Sequence, residues 1–154
     1  MAPTLTLRQA MSQPDPTTGA SIRFRLVSSE TLDTATVTGA DFTIGNGSID
    51  SVDTTNPASI LITVTAAGQG AVTIAPAAGF SVSDVAGNEA TSAGGTDRTV
   101  TYDSTSATVT LTQAADQGDP TKTDAIRFTF SSNEALQAGS VTASDFEATN
   151  ATGV

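Results

Sequence analysis

Apolar and polar residues alternate in short runs along the whole chain. Leu5 and Leu7 flank Thr6; Ile22, Phe24 and Leu26 alternate with Arg23 and Arg25; Ile60, Ile62 and Val64 follow, then Val72 and Ile74, then Val100 and Tyr102. A period of two sends every second side chain to the same face of an extended backbone, so each run predicts a half-buried β-strand. Val37 to Ile44 and Ile49 to Val52 carry a weaker version of the signal. The breaks hold Pro14-Asp15-Pro16, Gly45-Asn46-Gly47, Asn56-Pro57 and Gly68-Gln69-Gly70, residue types that favour turns through fixed or left-handed backbone angles. One stretch, Ala75 to Asp97, breaks the rhythm with small residues and contains Asp84-Val85-Ala86-Gly87-Asn88. Loops of that length inside a compact domain are usually functional or specially tethered.

The pattern also recurs. Sliding the chain by 104 residues aligns positions 4 to 46 with 108 to 150 without a gap, giving 20 identities in 43 positions. Thr4-Leu5-Thr6-Leu7 meets Thr108-Val109-Thr110-Leu111, Asp15-Pro16-Thr17 meets Asp119-Pro120-Thr121, and Ile22-Arg23-Phe24 meets Ile126-Arg127-Phe128. Glu30 falls on Glu134, Leu32 on Leu136, and Asp41-Phe42 on Asp145-Phe146. The expected domains are therefore 1–103, a complete repeat, and 104–154, the N-terminal half of a second, homologous one.

Seven short antiparallel strands in roughly 100 residues is the count of an immunoglobulin-like β-sandwich, so the expected fold is all-β and tandem, with the second copy incomplete. The order and spacing of the opening Leu-Thr-Leu strand, Asp15-Pro16-Thr17, Ile22-Arg23-Phe24 running into Ser28-Ser29-Glu30, Asp41-Phe42, the Asp84 to Asn88 loop and Val100-Thr101-Tyr102-Asp103 give the chain a likeness. It resembles the bacterial immunoglobulin-like (Big-type) tandem repeats of large surface adhesins and secreted multi-repeat proteins. The resemblance implies a rigid spacer or adhesive module in an extracellular or cell-surface setting. It also implies neighbouring repeats of the same chain and a host-surface, glycan or protein receptor as partners, with Ca²⁺ at domain ends in some members.

Composition narrows the function. Six Lys and Arg against sixteen Asp and Glu give a formal net charge of −10, which repels phosphate backbones and anionic lipid; neither nucleic-acid binding nor membrane insertion is expected. The absence of cysteine removes disulfides and thiolate metal sites. The absence of histidine removes the usual catalytic base, and no serine has a base beside it, so no enzyme is expected. Sugar-binding sandwiches stack glycans on exposed Trp or Tyr; with no Trp and one Tyr placed in a strand, a carbohydrate-binding or enzyme-accessory domain ranks second.

Calcium is the one cofactor the acidic composition supports, because hard cations need several oxygens at once and sandwich poles bring loops together. Alternating strands put the loop after the second strand and the loop before the last strand at one pole, gathering Glu30, Asp84 and Asn88. At the next junction Glu134 would face Asp103, while Asp15 belongs to the opposite pole. The same acids have an ordinary alternative as turn formers that hydrogen-bond their own backbone. Arg23 and Arg127 are expected on the outer face, and Tyr102 in the core with its hydroxyl at the rim. A half repeat leaves unpaired strand edges, so a third function is a self-assembling unit completed by strand addition from another chain.

Overall fold

A computed structural model describes residues 1–150, and the chain divides into two compact units, 1–104 and 105–154. Unit 1 is built from β1 (Leu5–Gln9), β2 (Ser21–Ser28), β3 (Phe42–Gly45), β4 (Gly47–Asp53), β5 (Ser59–Ala66), β6 (Gly70–Pro76), β7 (Val82–Ser83), β8 (Glu89–Ala90) and β9 (Thr99–Tyr102). One sheet has the order β1-β2-β5-β4, a second has β3-β6-β9, and β7 and β8 form a small hairpin. All of these pairings are antiparallel. The fold is all-β and sandwich-like.

The predicted alternation is what the two sheets bury. Leu5, Leu7, Ile22, Phe24, Leu26, Ile60, Ile62 and Val64 point inward from the first sheet, and Phe42, Val72, Ile74 and Val100 from the second, into one apolar cluster. Leu32, Val37, Phe80 and Val82 close its ends, with Phe80 against Phe42 at a ring separation of 6.2 Å. Tyr102 is half-buried against the same cluster. Each fully buried Leu, Ile or Phe contributes roughly 1.5–3 kcal/mol of transfer free energy, which makes this core the dominant favourable term.

Gly45-Asn46-Gly47 serves a purpose the turn signal alone does not reveal. It carries the chain from β3 in one sheet to β4 in the other. Asn46 takes a left-handed φ of 56°, its side-chain Nδ2 donates to the carbonyl of Gly68 at 2.7 Å, and a Cβ on Gly47 would stand 2.7 Å from the carbonyl of Thr65. Of the two weaker strand signals, Ile49 to Val52 lies within β4, and the other resolves differently. Val37 to Ile44 is a strand only from Phe42; residues 34–36 and 39–41 are short 3₁₀ turns, the second fixed by Asp41, whose carboxylate accepts from the N–H and hydroxyl of Thr38. The stretch 75–97 is tethered: it holds the β7–β8 hairpin, and then Leu7 N–H donates to Gly94 O at 2.8 Å and Gln9 N–H to Asp97 O at 2.6 Å along the edge of β1.

Unit 2 contains β10 (Val109–Gln113), β11 (Phe128–Ser132) and a 3₁₀ turn over Ala143–Asp145. The β10–β11 register reproduces that of β1–β2 at the offset of 104: Leu5 faces Ser28 and Val109 faces Ser132, Gln9 faces Phe24 and Gln113 faces Phe128. Phe130 and Phe146 meet edge to face at 5.7 Å. Burial, by contrast, diverges. Phe24 is 0% exposed and its counterpart Phe128 is 63% exposed; Val109, Leu111 and Ile126 are exposed likewise.

This contrast gives a paired expectation for denaturant unfolding. Phe24→Ala removes a fully buried ring and lowers the stability of unit 1 by about 3–5 kcal/mol, whereas Phe128→Ala costs less than about 1 kcal/mol.

Candidate functional site

The acidic loop at one pole of unit 1 is the place to look for chemistry, and its geometry follows from its sequence. Asp84-Val85-Ala86-Gly87-Asn88 joins β7 to β8 in a tight turn: Gly87 takes φ 84°, its N–H donates to Asp84 O at 3.0 Å, and Asp84 N–H donates to Asn88 O at 3.0 Å. The loop after β2 packs beside it. Leu32 forms a bridge with Asp84, and Val85 N–H donates to Thr31 O at 3.2 Å. The two loops therefore share a pole.

Asp84 is buried, and its carboxylate is fully engaged by its own turn. Oδ1 accepts from the N–H groups of Ala86 at 2.8 Å and Asn88 at 2.9 Å, while Oδ2 accepts from Asn88 Nδ2 at 2.8 Å. The side-chain amide of Asn88, then its backbone N–H and that of Ala86, hold the Asp84 carboxyl below its ordinary value of 3.8 against the opposing effect of desolvation. Glu30, one residue from the shared bridge region, has its own N–H tied to Ser28 Oγ at 3.2 Å and makes no hydrogen bond with Asp84 or Asn88. Among the described residues no group of three or more His, Cys, Asp or Glu converges. Glu30, Asp84 and Asn88 thus share a pole, and the three donors to the Asp84 oxygens all come from its own loop.

The remaining candidates are distributed. Asp103 is exposed just past β9, with its N–H on Thr17 O at 2.9 Å. Glu134 lies in unit 2, its N–H on Ser132 Oγ at 3.3 Å and its Oε1 3.5 Å from Asn133 Nδ2. Asp15 accepts from Thr101 N–H at 2.9 Å. Arg127 pairs with Asp116 at 2.8 Å on an exposed surface, where such a pair contributes little to stability. No helix among the described residues is long and apolar enough to cross a membrane.

Comparisons with protein-family models, with curated proteins and with solved structures give no match to this chain.

The Asp84 turn has a pH signature with a definite sign. A carboxyl whose folded pKa lies below its unfolded value binds fewer protons in the native state, so its contribution is present above the unfolded pKa of about 3.9 and is lost as pH falls through the lower folded value. Denaturant titrations from neutral pH into this acid window should show wild type losing stability more steeply than Asp84→Asn. At neutral pH, Asp84→Ala should lower Tm well beyond Val85→Ala, whose side chain is exposed.

Proposed function

We propose that this chain is a non-catalytic spacer module, a tandem of immunoglobulin-like sandwiches from an extracellular, adhesin-like surface protein. The observation that carries the reading is the recurrence of one hairpin in one register at a fixed offset, together with the same capped turn: Thr38 with Asp41, and Thr142 with Asp145. A chain that repeats its framework adds length by stacking similar bodies. The closed Asp84 loop supports the same reading, since its polar groups satisfy one another and offer no convergent set to a substrate. The lack of histidine and cysteine in the sequence agrees with it.

Calcium enters this proposal through Asp103 and Glu134, one near the end of unit 1 and one in unit 2. A Ca²⁺-dependent rise in Tm that Asp103→Asn or Glu134→Gln removes supports a cation in the spacer. A flat titration leaves a spacer held by packing alone.

A second reading is favoured by the exposed apolar face of unit 2. Val109, Leu111, Ile126, Phe128 and Val141 are exposed, whereas their counterparts Leu5, Leu7, Ile22, Phe24 and Val37 are buried beneath elements drawn from residues 47–103 and their neighbours. In this reading the face is completed by another chain that contributes strands of the same pattern.

One engineered chain separates the two. Residues 47–103 joined after Asn150 supply unit 2 with its own covering strands. For a spacer, the extended chain is monomeric, Phe128→Ala in it costs about as much as Phe24→Ala, and small-angle scattering gives two bodies at one fixed separation. A broad spread of separations counts against a stiff spacer. Light scattering of the unextended chain tests the second reading: a concentration-dependent dimer with protected amides in β11 supports strand addition, and a monomer refutes it.

A further inference from the structure

The outer face of the β1-β2-β5 sheet gathers three of the six basic residues of a chain whose formal net charge is −10. Alternation puts them there: inward Leu7 and Phe24 send Arg8, Arg23 and Arg25 outward. The β1–β2 register then sets Arg8 directly opposite Arg25, with Arg23 two residues along β2 on the same face. Like charges facing each other across an antiparallel pair destabilise it.

Neighbouring groups offset the charge of this cluster only in part. Arg25 Nη1 donates to the carbonyl and hydroxyl oxygens of Ser59 at 3.1 and 2.9 Å, which fixes the guanidinium without supplying charge. The side chains of Arg8 and Arg23 have no hydrogen-bond or ion-pair partner among the described residues. Asp53 lies beyond Leu61 in the same cross-sheet row as Arg25 and attracts it across the sheet, but its carboxylate is held by the hydroxyl and N–H of Thr55 and forms no direct ion pair with the guanidinium.

Unit 2 supplies an internal comparison. At the offset of 104, Arg127 is the counterpart of Arg23 and Asp116 of Ser12, and there the guanidinium and carboxylate meet at 2.8 Å. Arg8 and Arg25 correspond to Thr112 and Thr129. Unit 2 thus has one arginine with a built-in carboxylate, whereas unit 1 has three arginines and a serine where the carboxylate would stand. Ser12 lines the shallow depression that these arginines surround, with exposed Met11 and half-buried Leu61 on its rim.

We propose that this depression binds an acidic polypeptide segment. A carboxylate of the partner takes the place that Asp116 holds in unit 2, engaging the guanidinium groups through charge-assisted hydrogen bonds, and an adjacent apolar side chain rests on Met11 and Leu61. The apolar rim and the absence of any aromatic platform favour a polypeptide over an acidic sugar polymer, whose rings stack on aromatic faces. Binding occurs against the overall repulsion of a negatively charged chain, so it depends on the local cluster and weakens with salt.

The test uses the full chain and a short fluorescein-labelled Glu-rich peptide containing two leucines, followed by fluorescence anisotropy at about 20 mM ionic strength. Saturable binding is expected, with affinity reduced about tenfold by Ser12→Asp, which installs the carboxylate of unit 2, and by Arg8→Gln or Arg25→Gln. Thr43→Asp adds the same charge to the outer face of the opposite sheet and should change the affinity less than about twofold. A Tm no lower than that of wild type and an unchanged circular dichroism spectrum in Arg8→Gln separate loss of binding from loss of fold. Absence of saturable binding overturns the proposal, as does equal weakening by Ser12→Asp and Thr43→Asp. Tighter binding of an oligomannuronate than of the peptide overturns the polypeptide assignment.

Discussion

The pairing of β2 with β5 joins the first half of unit 1 to the second. Ile22, Phe24 and Leu26 stand opposite Val64, Ile62 and Ile60, and all six side chains are fully buried. With β1 on its other edge, β2 has both rows of backbone groups satisfied and one face sealed by the second sheet. The pairing is non-local, because residues 29–58 must loop out before any of it forms, so the entropy of closing that loop precedes the reward of burial. Unit 2 isolates the same dependence. β11 carries nearly the same inward residues as β2 and pairs with β10 in the same register, yet no second strand flanks it among the described residues, and Phe128 is exposed where Phe24 is buried. Residue pattern and hairpin register therefore do not by themselves create the core; the long-range partner does.

This dependence explains which parts of the fold were legible in the sequence. The runs through Leu5, Ile22, Ile60, Val72 and Val100 are strands because their alternation coincides with the division between sheet interior and solvent. Val37 to Ile44 was only partly legible. Val37 and Phe42 are both buried, but the five-residue interval cannot be spanned by one alternating strand that also contains the capped Thr38 to Asp41 turn. A local Thr–Asp hydrogen-bond pair outweighed a weak period. The segment 75–97 hid its structure for the opposite reason: its bonds to β1 run through backbone groups of Gly94 and Asp97, which leave no side-chain period to read. Gly95 shows how tight that seam is, with φ 109° and a Cβ position that would overlap the carbonyl of Leu7.

The polar candidates divide along a similar line. That the loops holding Glu30 and Asp84 share a pole was readable from strand parity, since it requires only the count of direction reversals. What Asp84 does there was not, because the choice between ligand and turn former depends on where two N–H groups and one amide point. The arginine cluster was half visible. Alternation placed Arg23 and Arg25 on the outer face, but only the β1–β2 register brings Arg8 opposite Arg25. The charged feature that distinguishes unit 1 from unit 2 is thus a property of pairing rather than of either strand alone.

The acidity of the chain takes on a different meaning once its carboxylates are followed to their partners. Asp33 accepts from Ala35 N–H, Asp41 from Thr38, Asp53 from Thr55, Asp84 from Ala86 and Asn88, Asp15 from Thr101 and Asp145 from Thr142. Most of these bonds span only two to four residues, the reach of an Asp side chain folding a turn around itself. A domain made of many short strands needs many such turns, and a chain without disulfides must fix them by hydrogen bonding. Excess negative charge then follows from the architecture and is not, in itself, a signal for cations. By the same reasoning the informative charges are those that no turn requires. Among the described residues Arg8 and Arg23 cap nothing and form no ion pair, and the register of the sheet holds Arg8 against a third arginine whose hydrogen bonds there go to uncharged oxygens of Ser59.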